Sequence, residues 1–283
     1  MRIVVTPRDA MQGKKRFIPS KVKADYINML LKVGFDTVDF GSFVSPKAVP
    51  QMSDTAEVLK MLDLSQTKSK LLAIVGNLKG AQIGSEYEEI NYFGYPFSAS
   101  STFLKLNINS TIDGALETIS EMQNICVKKN KELVIYFSMA FGNPYGDAHS
   151  DEIVAKGIEK LKKIGIKTIS LADTLGVGDN EMIANSFKII KTEFPEIELG
   201  LHLHVSKDEA SEKVDSAYKA GCRYFDTAML GMGGCPMSAH KLVGNLSTEQ
   251  LIEYLETNHL RVPIDRNKLE DAVTMAIEVY QYE

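Results

Sequence analysis

Eight short apolar runs recur along the chain, each separated from the next by a longer stretch, and that alternation leaves few folds open. The runs are IVVT (3–6), TVDFGS (37–42), LLAIV (71–75), EINYFG (89–94), LVIYFSM (133–139), TISLAD (168–173), LGLHLHV (199–205) and YFDTAM (224–229). Their length and their β-branched and aromatic content read as strands. Helical periodicity fills 20–33, 112–129, 150–163, 180–193 and 207–220. Gly34, Gly165 and Gly221 each stand between such a stretch and the next apolar run, where glycine ends a helix. Strands that alternate with helices make a parallel sheet. At 283 residues, near the ~250 of one (β/α)8 barrel, closure uses all eight strands. An open doubly wound sheet would carry a glycine-rich turn after its first strand, and TPRDAMQ is not one. The expected architecture is therefore α/β, a single TIM-barrel domain over 1–283. The barrel runs to about residue 260, and an additional helix follows Pro263 over 264–283.

Composition removes several function classes. Net charge is −5 and the longest basic cluster is KKR at 14–16, which argues against a nucleic-acid partner. No apolar stretch approaches the ~20 residues of a membrane span. The opening MRIVVTPRD has no signal-peptide pattern. Cys126, Cys222 and Cys235 are odd in number and scattered, which does not suit a disulfide framework and points to a reduced, cytoplasmic protein.

In such a barrel the chemistry lies at the C-terminal ends of the strands and in the loops beyond them. Arg8 and Asp9 follow the first strand, Asp39 lies in the second, and Ser42 and Ser45 close it. Tyr145 follows the fifth strand, Asp173 and Thr174 end the sixth, and Asp226 is in the eighth, with GMGGCP (231–236) after it. His202 and His204 fall on the seventh. Residues two apart on a strand share a face, so the imidazoles stand about 7 Å apart along the chain on one side. Two readings are open: hydrogen-bonded histidines inside the barrel, or a metal-binding pair. The metal needs a third ligand, and closure brings the eighth strand beside the first and Asp9 within reach. Two imidazoles, a carboxylate and an amide oxygen suit Mg²⁺, Mn²⁺, Fe²⁺, Co²⁺ or Zn²⁺, with so few soft ligands favouring Mg²⁺ or Mn²⁺. Arg8 and Asp9 form either a local ion pair or part of one site; for the second the chain must turn at Pro7. Cys235, in a glycine-rich loop, fits proton exchange or nucleophilic attack. Cys126 and Cys222 read as inert and buried, and His149 and His259 as surface residues.

With these residues assembled, the chain resembles the 3-hydroxy-3-methylglutaryl-CoA lyase family, within the wider group of metal-dependent aldolase and carboxyltransferase-like barrels. The resemblance runs nearly end to end. It is carried by TPRDAMQ (6–12), SFVSPKAVPQM (42–52), NLKG (77–80), NPYG (143–146), SLADTLGVG (170–178), HLH (202–204), GMGGCP (231–236) and GNLSTE (244–249). It implies a divalent metal held by Asp9, His202, His204 and Asn245. It implies Arg8 as the partner of an enolate oxygen and Cys235 as the proton-transferring thiol. Asp39 stands where the family has a glutamate. Gln12, Lys15, Ser42, Tyr145, Asp173, Thr174, Gly233 and Gly234 would line the substrate, with Lys15 near CoA phosphates. The implied reaction is retro-Claisen cleavage of 3-hydroxy-3-methylglutaryl-CoA or a close analogue to acetyl-CoA and acetoacetate, by a homodimer. The alternatives are a related barrel condensing a 2-keto acid and a non-catalytic, ligand-binding paralogue. Val205 replaces a usual aspartate, Ala172 a glycine, and the 236–244 segment has its own length and composition. These departures bear on which acyl-CoA is used more than on the reaction type.

Overall fold

The computed structural model describes residues 1–234, 243–262 and 264–282. Eight strands close on themselves in chain order: β1 (Arg2–Val5), β2 (Thr37–Ser42), β3 (Lys70–Ile74), β4 (Ile90–Phe97), β5 (Glu132–Phe137), β6 (Thr168–Asp173), β7 (Glu198–Leu203) and β8 (Tyr224–Thr227). All neighbouring strands run parallel, and β8 shuts the ring against β1, with Arg2 beside Tyr224 and Val5 beside Thr227. The helices are α1 (Pro7–Gln12), α2 (Ser20–Val33), α3 (Thr55–Lys60), α4 (Leu78–Ser85), α5 (Ser101–Ile108), α6 (Ile112–Lys128), α7 (Asp151–Ile164), α8 (Asn180–Glu193), α9 (Lys207–Lys219), α10 (Thr248–Thr257) and α11 (Arg266–Tyr280). The expected (β/α)8 barrel with a C-terminal helix is the fold found. That helix, α11, lies on α2, where the Tyr26 and Tyr280 hydroxyls meet at 2.8 Å and the Asp265 amide reaches the Val33 carbonyl at 2.9 Å.

Parallel strands are covered on both faces, which is why they read as near-continuous apolar runs. Outward side chains such as Ile3, Val38, Phe93 and Ile169 join the helices in the main core. Leu72, Val134 and Tyr136 form a separate group inside the barrel. Below them Arg2 lies over the Tyr92 and Tyr224 rings and pairs with Glu198, filling the N-terminal end. The opposite mouth is therefore the end left for chemistry. Gly34 and Gly165 take the left-handed φ of 93° and 96° that a helix-ending glycine adopts.

Two of the differences from the sequence reading have a plain physical cause. β4 runs on to Phe97 rather than stopping at Gly94. β3 pairs with it only as far as Gly94, whereas β5 pairs through Phe97, so Pro96 sits where a strand has one neighbour and can lack an N–H. The chain after β1 forms α1, with Pro7 in its first turn, where a missing N–H costs nothing.

Candidate active site

The early end of β1 decides how Arg8 and Asp9 are presented. On a strand they would point to opposite faces, but within one turn of α1 both reach the mouth, with Gln12 a turn later. Asp39 on β2 is fully buried, and Arg8 grips it through Nη2 (2.6 Å to Oδ2) and Nε (3.0 Å to Oδ2). Arg8 Nη1 donates to Asp9 Oδ1 at 3.0 Å and to Gln12 Oε1 at 3.1 Å, and Gln12 Nε2 donates back to Asp9 Oδ1 at 2.7 Å. A guanidinium has five N–H donors. Among the described residues these contacts engage four, leaving one on Nη2. Burial pushes the Asp39 carboxyl up to about 6 against the pull of Arg8. Burial also works to raise Asp9, but Arg8, His202 and the Asn245 amide outweigh it and hold that carboxyl below its usual range.

β7 ends at Leu203, so His202 is on the strand and His204 just past it. A strap of chain zips in there. The Val205 amide donates to the Gly244 carbonyl and the Leu246 amide to the Leu203 carbonyl, both at 2.9 Å, and the Ala228 amide reaches the Leu246 carbonyl at 3.0 Å. The strap brings Asn245 into a bridge with His204. The two histidines do share a side, and their Nε2 atoms come to 3.3 Å. Asp226 on β8, in register with His202, places Oδ2 3.6 Å from His202 Nδ1 and accepts the Ser170 hydroxyl at 2.6 Å. Burial tends to lower His202, but Asp226 raises it; burial and then His202 push His204 down to about 4. His204 is thus a neutral imidazole, with a lone pair to give.

The donor chemistry fits a divalent cation. Asn245 Nδ2 donates to Asp9 Oδ2 at 2.7 Å, while its buried Oδ1 has no partner among the described residues. Two imidazole nitrogens, a carboxylate and that amide oxygen form a nitrogen–oxygen set of the kind Mg²⁺ and Mn²⁺ accept. No three His, Cys, Asp or Glu side chains among the described residues already converge as a metal cluster; Asp9 is turned to Arg8, Gln12 and Asn245.

The other residues singled out in the sequence fall into two groups. Gly233 belongs with the mouth: a β-carbon there would lie 2.6 Å from Asn245 Nδ2 and 3.0 Å from Asp9 Oδ2. Gly234 follows it, and Cys235 lies outside the described residues. Lys15 is exposed on the loop after α1. Ser42, Thr174 and Asp173 shape loops. The Ser42 hydroxyl accepts from the Val44 amide, Thr174 Oγ1 accepts from Met139 at 3.0 Å, and Asp173 accepts the Val177 and Gly178 amides at 3.0 and 2.9 Å. Ala172, not Asp173, is in register with His202. Tyr145 is held through its amide by Asn143. Cys126 and Cys222 are buried, which pushes both thiols up to about 12. His149 and His259 are exposed. Among the described residues no helix is long and apolar enough to cross a membrane.

Fold and mouth together place the chain among the (β/α)8-barrel enzymes whose chemistry sits at the strand C-termini. Comparison with known proteins narrows that class. Residues 2–275 match the HMGL-like family, and the chain belongs to it. The mitochondrial hydroxymethylglutaryl-CoA lyase of Bos taurus is 34% identical over 272 residues, covering 95% of this chain and 82% of its own. The cytoplasmic 3-hydroxy-3-methylglutaryl-CoA lyase of Rattus norvegicus is 32% identical over 95% of this chain and 78% of its own. An HMG-CoA lyase of Acinetobacter baumannii, solved with coenzyme A and 3-methylmalate, superposes with a TM-score of 0.91 at 28% identity, covering 100% of this chain and 92% of its own.

Proposed function

We propose that this chain is a divalent-metal-dependent carbon–carbon lyase that cleaves 3-hydroxy-3-methylglutaryl-CoA to acetyl-CoA and acetoacetate. The observation that carries the reading is the pairing of two sites in one mouth. A buried guanidinium with one N–H to spare stands beside a nitrogen–oxygen donor set suited to Mg²⁺ or Mn²⁺.

The reaction needs two kinds of help. Cleavage passes the proton of a tertiary hydroxyl to solvent water, turns that carbon into the ketone of acetoacetate, and sends the electron pair of the broken bond into the thioester. Asp9, His202, His204 and Asn245 would hold the cation, which supplies a lowered hydroxyl pKa and a partner for the substrate carboxylate. Arg8 offers its remaining Nη2 N–H to the thioester oxygen, where negative charge develops. Asp39, Asp9 and Gln12 keep the guanidinium from swinging, so little reorganisation accompanies the charge. Asp226 steadies the His202 ring from behind, as carboxylates do for metal-bound histidines. The final proton to the acetyl-CoA enolate is assigned to Cys235 on the strength of the resemblance. Lys15 takes a CoA phosphate, and Gly233 lets the backbone approach the substrate. Asp173, Thr174, Ser42 and Tyr145 hold the surrounding loops. The proposal includes a cytoplasmic homodimer, to be tested by sedimentation and fractionation.

The test is to offer the purified Mn²⁺-loaded protein this thioester beside longer 3-hydroxy-3-carboxyalkyl thioesters and to follow 3-keto acid release. The expected outcome is one acetoacetate and one acetyl-CoA per substrate. Intact substrate after long incubation with folded, metal-loaded protein would remove the assignment.

A further inference from the structure

Leu230, just past β8, has φ 60° and ψ 13°, the left-handed region that a leucine enters only at a cost. Its amide is held from outside that turn. Both carboxylate oxygens of Glu249, in the first turn of α10, accept the Leu230 N–H, at 3.1 and 3.0 Å. Ser247 Oγ donates to Glu249 Oε2 at 2.5 Å and keeps the carboxylate aimed. The chain that leaves Leu230 runs straight to the mouth. The Met232 carbonyl accepts Asn245 Nδ2 at 2.8 Å, and the same amide group donates to Asp9 Oδ2 at 2.7 Å. Gly233 follows, packed against Asp9 and Asn245 so closely that no β-carbon fits. The two ends of this segment also pack together, for a β-carbon on Gly231 would lie 3.0 Å from the Asn245 carbonyl. A carboxylate in the first turn of a helix is ordinarily a helix-stabilising group. Here both oxygens also accept from another segment, and only Oε2 accepts in addition from the Ser247 that caps its own helix.

We infer that Glu249 is a positioning residue for the reaction: it holds Leu230 in its left-handed turn and thereby keeps the Met232 carbonyl on Asn245 and Gly233 against Asp9. The inference rests on the lyase reading of that mouth. It explains why a leucine can occupy a conformation suited to glycine, and why losing a group remote from the substrate should disturb Asn245.

Two readouts test it, one independent of substrate. Hydrogen exchange reports the Leu230 amide directly. Glu249→Ala should speed exchange there while the amides of α10 beyond its first turn keep their protection. Turnover of 3-hydroxy-3-methylglutaryl-CoA should fall by about 5- to 30-fold, the scale of one strained residue released. Glu249→Gln keeps a carbonyl acceptor and should retain most of the rate. Adding Leu230→Gly to Glu249→Ala should recover turnover to the level of Leu230→Gly alone, because glycine keeps the turn without the anchor. A merely structural Glu249 would give no such rescue. Unchanged Leu230 exchange in Glu249→Ala, or a loss of rate that Leu230→Gly does not relieve, would overturn the inference. A wild-type protein that leaves this thioester intact would remove the lyase reading, and the exchange result would still decide the anchor.

Discussion

Arg8 shows how much can hang on one side chain. Its guanidinium is buried against two carboxylates and an amide, and those partners fix where the remaining N–H points. Asp39 meets the stronger opposing forces, because burial drives it up to about 6 in spite of Arg8. The sign of its contribution to stability follows. The unfolded chain titrates this group near 3.8, so between that pH and about 6 the folded chain binds more protons. Stability from Asp39 is full below 3.8 and lost as pH rises through about 6. Chemical denaturation of wild type and Asp39→Asn across pH 3.5–7 should show their stability difference changing in that window and flat above it. Arg8, Asp9 and His202 are legible in the sequence as unusual residues at strand ends, whereas Asn245, in the stretch before α10, is reached there only through the family resemblance. Asp226 was visible too, but its place behind His202 comes from the β7–β8 register. The Asp173 carboxylate accepts the Val177 and Gly178 amides, and Ala172 is the residue in register with His202, a division that the sequence alone does not show.

Sequence patterns say least about the loops. Pro7 signalled a break after β1, but not that a short helix would turn Arg8 and Asp9 the same way. Gln51, inside VPQM, carries no chemical signature. In the fold its side chain is buried and holds the loop after α1 three ways. Nε2 donates to the Lys14 and Arg16 carbonyls at 3.1 and 2.8 Å, and Oε1 accepts the Ile18 amide at 2.8 Å. That loop presents Lys15. Gln51→Leu should therefore raise KM for the CoA thioester about tenfold with kcat within about threefold, matching loss of a contact made equally in ground and transition states. The same comparison with a pantetheine thioester, which lacks the nucleotide phosphates, should show no change in KM. An equal effect on both thioesters would detach Gln51 from phosphate binding. No local pattern announces such a clamp, because its partners lie more than thirty residues away.

The barrel as a whole was the most legible level, since eight apolar runs, helix-ending glycines and chain length all point the same way. Closure then does what no segment does alone, setting β8 beside β1 so that Asp9, Asn245 and the two imidazoles share one mouth. A cation held there as proposed would tie β1, β7 and the 243–248 strap together and would stabilise only the folded chain. Saturating Mn²⁺ should raise the melting temperature by about 5 °C, and His204→Ala should lose most of that shift. In the proposed reaction this mouth breaks a carbon–carbon bond with Arg8 facing the developing enolate. The measurement that tests it most directly is steady-state cleavage by Arg8→Met with Mn²⁺ present and thioester affinity measured separately. In Arg8→Met, kcat should drop by about a hundred- to a thousandfold while binding weakens only a few-fold. Turnover by Arg8→Met within a few-fold of wild type would contradict it.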